Sequence, residues 1–448
     1  MDISQAQWLL IIASSLLLLW IAPLAKSPRA FYQGSRREQS PNVWLLTSSL
    51  VISWLFAKSI TNAANLGLSF GLVGGVAYAA YYLSFLVAGL IIYQLRTKGG
   101  FRSIHHFLES RYGQGAIILF SILIGFRLFN EVWSNTMVIG SYFGAQGSPP
   151  YYMAIVVFTS LTLAYTLKGG MSSSILTDLI QMLFFGGMLI ILLAVLFPKT
   201  EGGMTSYLQS GTWEMSQGGN LLLVALIQSL SYPFHDPVLT DRGFISDPKT
   251  TLRAYLMATV IGGLCIVLFS FVGIFGQFNG LSGQAPVAVA QLLGIGIMLL
   301  MNFIMITSAA STLDSTFTSF SKFLSIDLLK RQDQSLSFGR WSMAAIAIIG
   351  TLPVFMGPEI LSATTISGTM VIGLAPVFIF WHLEMPKASF YVSVGMGLVI
   401  GLLFTLGLYP EQWNWTSGKY ADLLSVNVWG TIACFGLFFL PKLFKSST

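Results

Sequence analysis

The chain has 448 residues, 54% of them hydrophobic and 9% charged, and its mean hydropathy is +0.73. A soluble domain carries about 25% charged residues, so this composition excludes a soluble protein and describes one with most of its mass in a lipid bilayer. The net charge of +6 is not a nucleic-acid footprint, because it follows the membrane topology set out next.

Many apolar segments of about 20 residues, carrying glycine and proline that helices tolerate in lipid, argue for an all-α bundle and against a barrel. In chain order, about 13 spans are expected, at residues 6–24, 43–70, 71–96, 115–143, 150–168, 174–197, 220–240, 250–277, 288–322, 338–356, 359–383, 387–408 and 425–444. The start, Met1-Asp2-Ile3-Ser4, lacks a basic stretch, so the first segment is expected to stay as a helix. Of the 23 lysines and arginines, 19 fall on one side, Arg242 among them. Two, Lys199 and Lys419, fall on the other, and Lys58 and Arg127 lie inside spans. The basic side is cytoplasmic, which places the N-terminus outside, the C-terminus inside, and the chain in the plasma (inner) membrane.

The connections carry little chemistry. Residues 27–41 are basic and expected to lie on headgroups. Residues 101–109 fit a short amphipathic helix, with His105 and His106 as surface residues. Asn414-Trp415-Thr416 matches a glycosylation sequon, a pattern common by chance. Cys265 and Cys434 read as small core residues. No soluble domain is expected after the last span.

Ionisable residues inside spans mark functional sites by default. Here they are Lys58, Arg127, Glu131, Asp178, His235, Asp236 and Asp314. Arg127 and Glu131, four apart, are expected to pair, either as a structural lock or within a substrate site. The second span is interrupted by the polar run 57–65, the seventh by Ser229, Ser231, Tyr232, Pro233, His235, Asp236 and Pro237. Interrupted spans in corresponding positions of two halves point to a transporter's midplane site. Their spacing suggests an inverted five-helix repeat whose first helix is broken. The single transmembrane domain, 1–448, then divides into an extra helix and inner loop (1–42), a first repeat (43–197), a second repeat (220–383) and two final helices (384–448). On the ninth span, Ser308, Ser311, Thr312 and Ser315 share one helix face, with Asp314 at its margin. Such oxygens suit a small hard cation; a packing face of small residues is the alternative. Asp178, expected at similar depth, favours the cation or a shared proton.

Three stretches carry a resemblance to a known family. Residues 169–181 hold a glycine pair, then Thr177-Asp178 and Gln181; Ser311-Thr312-Leu313-Asp314-Ser315 is followed by Asp327-Leu328; and Asp236-Pro237-Val238-Leu239-Thr240-Asp241-Arg242 closes the seventh span. Together they resemble the sodium/solute symporter family, the sodium/glucose and sodium/proline cotransporter group. The resemblance implies a main sodium site from the carbonyls of Ala57, Ile60 and Ser308 and the hydroxyls of Ser311 and Thr312. It implies a second cation position at Asp178, Ser311, Asp314 and Ser315. Positions matching the family's solute-binding spans are Asn62, Asn65, Tyr81, Arg127, Glu131, Trp133, Asn135, Ser231, His235 and Thr365. Lys58, beside the main sodium site, departs from the family pattern.

The expectation is a secondary active transporter that imports a small polar solute with one or two Na+ by alternating access. Lys58 and Arg127 could clamp a carboxylate, which favours an organic acid or amino acid. The expected partners are that solute, sodium ions and the bilayer, with no nucleic acid and no protein. The alternatives are a proton-coupled or uncoupled carrier on the same fold, favoured by Lys58, and a membrane solute sensor. An enzyme is not expected: no H-E-x-x-H spacing occurs, and the four histidines are scattered.

Overall fold

The computed structural model describes residues 3–34, 40–331, 333–357 and 367–445. All regular structure among them is helical: α1 (Ile3–Ile21), α2 (Pro28–Gln33), α3 (Val43–Trp54), α4 (Ala57–Phe70), α5 (Leu72–Ala79), α6 (Leu83–Thr97), α7 (Ile104–Tyr112), α8 (Gln114–Ser141), α9 (Pro149–Gly169), α10 (Met171–Leu196), α11 (Met204–Leu208), α12 (Gly219–Gln228), α13 (Pro237–Arg242), α14 (Pro248–Phe278), α15 (Ala285–Leu293), α16 (Ile295–Lys322), α17 (Leu336–Thr351), α18 (Leu374–Ile379), α19 (Lys387–Thr405) and α20 (Ala421–Lys445). Among the described residues, ten helices are long and apolar enough to cross a membrane, and α3 with α4 forms an eleventh candidate bent by 61°. The expected seventh span is instead α12, a 3₁₀ turn over Tyr232–His235, and α13. The expected eleventh lies partly outside the described residues, as does Thr365. The expected ninth is two helices, α15 and α16, parted at Gly294, whose φ of 91° suits glycine.

Local chemistry sets most boundaries. Asn42 caps α3 by accepting from the Leu45 N–H at 3.0 Å, and Asp247 caps α14 through Lys249 and Thr250. Proline opens α2, α9, α13 and α14, where its missing N–H costs nothing. The break between α3 and α4 has a different origin. It falls at Leu55 and Phe56, just before the polar run expected to interrupt the span. No proline is there. The freed groups find tertiary partners: the Trp54 carbonyl accepts from Tyr82 Oη at 2.6 Å, the Leu55 carbonyl accepts from the Ser308 hydroxyl, and the Lys58 N–H donates to Asn135 at 3.3 Å. The polar run instead forms the first turns of α4.

Helix α4 packs on α14 through glycine. A Cβ on Gly67 would overlap the Ser270 carbonyl, and one on Gly273 the Ala64 carbonyl, the close backbone approach typical of membrane bundles. Outside, Ile190, Val260, Ile348 and Trp341 are well exposed and form lipid-facing surface. The expected amphipathic helix at 101–109 exists as α7, which buries Ile104, Phe107 and Leu108. His106 is exposed, but His105, also expected at the surface, is mostly covered and lies 3.9 Å from Asp327.

Gly273→Ala should destabilise the protein by about 1–3 kcal/mol through overpacking, whereas Gly263→Ala, which meets nothing within 4 Å, should not. Thermal unfolding of the two purified variants checks this.

Candidate functional site

Two buried polar clusters flank the break. The first is built on the hydroxyl face of α16. Ser311 donates to Asp178 Oδ1 at 2.5 Å, and Ser49 donates to Asp178 Oδ2 at 2.5 Å. Asp314 accepts from Tyr165 at 2.8 Å, Ser174 at 2.7 Å and Thr177 at 3.0 Å. Ser315 links the two carboxylates, lying 3.0 Å from both Ser53 and Ser174. The Arg242 guanidinium enters from α13. It donates to Ser49 at 2.6 Å, Ser315 at 2.8 Å, and Asp178 and Ser53 at 3.2 Å each. Counting Arg242 as an inner-loop cation was therefore an error: the side chain is fully buried. Its desolvation is compensated because five groups, the Val238 carbonyl included, accept its protons. With Asp178 paired to Arg242 and Asp314 held by hydroxyls, the cluster carries one formal negative charge.

The second cluster is a charged cage. Glu131 pairs with Lys58 at 2.6 Å and with Arg127. Arg127 also reaches Asp236 at 2.8 Å, and Asn135 bonds Glu131 Oε2 at 2.9 Å. The guanidinium lies between the rings of Phe56 and Tyr232, 5.3 and 5.1 Å from their centroids. Asp236 caps α13 through Val238 and accepts from Trp54 Nε1 at 2.9 Å. This ties the two broken segments together. Two cations face two carboxylates, so the cage is neutral. Lys58 is engaged by Glu131, and hydroxyls surround Asp314.

The remaining expected positions scatter. Tyr81 donates to Gln228 at 2.9 Å, and Gln228 bonds Thr369 and Asn427. Asn62 donates to Tyr78 at 3.3 Å, Ser231 to the Gln228 carbonyl at 3.3 Å, and His235 Nδ1 lies 2.6 Å from the Tyr232 carbonyl. Asn65 accepts from the Ala285 N–H, capping α15. Trp133 packs apart, with Met137, Tyr151, Ile155 and Val354. Of the expected sodium-site oxygens, the Ala57 carbonyl accepts from Thr61 and the Ser308 carbonyl from Thr312; Ile60 lies in the first turns of α4. Sequence reading assigned no site role to Ser49, Ser53, Ser174 or Thr177, although the last two lie in the 169–181 stretch. Their signal was spacing: Ser49 and Ser53 are four apart, and Ser174, Thr177 and Asp178 share a face.

The sodium:solute symporter family model matches residues 39–213. The chain is 25% identical to the sodium/myo-inositol cotransporter 2 of Mus musculus, over 79% of this chain and 62% of the relative. It is 23% identical to solute carrier family 5 member 4A of Mus musculus, over 78% of this chain and 65% of the relative. The chain is thus similar to members of the sodium:solute symporter family. It spans less than two thirds of the length of these curated relatives. Among solved structures, a substrate-bound, outward-open Na+-coupled sialic acid symporter matches with a TM-score of 0.70 at 17% identity, over 98% of both chains. A closed conformation of Mhp1, a nucleobase-cation-symport-1 family transporter, matches at 0.59 and 13%, over 94% of this chain and 95% of that one. These two likenesses establish a shared fold.

Glu131→Gln leaves Lys58 and Arg127 sharing too little negative charge in a buried site. A loss of about 3–5 kcal/mol is expected, read as a lowered Tm. Adding Lys58→Met restores neutrality and should recover most of it.

Proposed function

We propose that the protein is a sodium-coupled symporter that imports a small polar solute by alternating access, with its N-terminus outside and its C-terminus in the cytoplasm. One observation carries the reading: the hydroxyl face of α16 docks on a helix broken at Leu55 and Phe56, the Ser308 hydroxyl bonding the Leu55 carbonyl. Side-chain and freed backbone oxygens converge there, as a small hard cation requires. Sodium binds between α4 and α16, drawing on the carbonyls of Ala57, Ile60 and Ser308 and the hydroxyls of Ser311 and Thr312. The single negative charge of the Asp178, Asp314 and Arg242 cluster suits one further monovalent cation. The match of residues 39–213 to the sodium:solute symporter family model and the inverted-repeat layout inferred from the sequence support the same reading.

The solute sits against α4, α8 and the broken seventh segment. Because Lys58 and Arg127 each hold a carboxylate, an acidic solute would have to open an ion pair to be clamped. The hydroxyls and amides of Asn62, Tyr81, Gln228 and Asn427 need no such rearrangement. We therefore favour a neutral polyhydroxylated solute over the carboxylate suggested by sequence, in keeping with relatives named as myo-inositol cotransporters. A second reading, proton coupling, is favoured by Asp314, a carboxylate held by hydroxyls without a basic partner among the described residues.

Uptake into proteoliposomes with and without a sodium gradient separates the two. Ser311→Ala and Thr312→Ala should each raise the sodium concentration for half-maximal uptake about tenfold, the equivalent of roughly 1.4 kcal/mol. Unchanged sodium activation in both variants would reject the site. Uptake driven by a proton gradient alone, and abolished by Asp314→Asn, would establish the second reading.

A further inference from the structure

A cavity of about 420 Å³ opens on the face assigned above to the cytoplasm, its lining including His105, Thr240, Asp241, Phe244, Lys322 and Asp327. It lies close to the cation cluster. Asp241 adjoins Arg242, and Lys322 follows Ser315 by seven residues on α16, about 10 Å along a helix axis. Lys322 bonds Asp241 of α13 and Asp327 Oδ2, the latter at 3.4 Å. Asp327 belongs to a π-helical turn, Phe323–Leu328, that begins directly after Lys322. Such turns concentrate at functional sites. One ammonium thus joins the ends of α13 and α16 to the turn between them and the surface. All three side chains are nearly covered, at 16% exposure for Lys322, 9% for Asp241 and 11% for Asp327.

We infer that Lys322 is a bolt on the inner side of the transport route, and that cation and solute leave only when its bond to Asp241 parts. The inference rests on the transport reading and adds a residue that sets the rate of release. Three observations carry it. Asp241 and Lys322 sit on separate segments, α13 and α16, so their bond breaks by relative movement and not by unfolding. The bolt is also incompletely satisfied: Asp241 Oδ2 is buried without a hydrogen-bond partner among the described residues. Finally, α13 is held at both of its last two residues, by Asp241 to Lys322 and by Arg242 to Asp178 and Ser315. A cation that takes oxygens of Asp178 and Ser315 competes with Arg242 for them. The guanidinium must then shift, and the neighbouring Asp241 shifts with it. His105, which lies 3.9 Å from Asp327, is kept below its ordinary pKa by burial, and Lys322 is the cation bonded to both carboxylates of the junction.

The test is accessibility, which does not depend on knowing the solute. Ile245 lines the cavity, and the native Cys265 and Cys434 are buried. The full chain carrying Ile245→Cys, in lipid nanodiscs without sodium, is labelled with N-ethylmaleimide. Lys322→Met should speed labelling about five- to tenfold, the usual range for a modest conformational bias, and Lys322→Arg should label like the parent. If Lys322→Met does not fold, Asp241→Asn removes the same bond from the other side and should give the same acceleration. Labelling of the folded Met or Asn variant at the parent rate would overturn the bolt. The transport reading fails on a different result, the absence of sodium-driven uptake by the parent protein.

Discussion

The bond from the Ser308 hydroxyl to the Leu55 carbonyl is the contact on which the rest of the site depends. A helix interrupted inside a bilayer exposes backbone groups that lipid cannot satisfy. This chain supplies the missing partners from three other segments, through Tyr82, Ser308 and Asn135. The bundle around the break is therefore fixed by the need to satisfy it. The 3₁₀ turn at Ala80–Tyr82 that leads into α6 and helix α8 must approach closely enough to deliver a phenol and an amide, and α16 must turn its hydroxyl face inward.

The same economy governs charge. Lys58, Arg127, Glu131 and Asp236 form a neutral group, and Arg242 lies against Asp178. Buried charges persist only when paired and hydrogen-bonded, and here the pairs also cross between segments. Asp236 is bonded by Trp54 of α3 and Arg127 of α8 while it caps α13. The two broken segments are thus coupled electrostatically, so a disturbance at one is felt at the other. This is the property that a carrier of two linked cargoes needs, because coupling between sites is a shared free energy.

Much of this was legible in the sequence. The apolar lengths located the long helices, and the hydroxyl spacing on α16 located one wall of the first cluster. The pairing of Arg127 with Glu131 followed from a four-residue interval. What was not legible depended on partners distant in the chain. The break lies at Leu55 and Phe56 because of hydroxyls and an amide contributed by other helices, and residue types at 55 and 56 give no sign of it. Arg242 reads as a loop cation until α13 is seen to turn it inward onto Ser49 and Asp178. Trp133 and Asn65 looked like solute contacts by residue type. Their helix faces direct one into a separate aromatic cluster and the other onto the start of α15.

The absence of proline at the α3–α4 break has its own consequence. A proline interrupts a helix through covalent structure, because its missing N–H removes a helical hydrogen bond in every state of the molecule. Here the interruption is held open only by side chains on neighbouring helices. Its angle is a property of the assembled bundle, and it is free to change as those neighbours move. The joint is a hinge whose stiffness is set by three hydrogen bonds, so its mechanics can be retuned by single substitutions at positions 82, 135 or 308 without altering the hinge residues themselves.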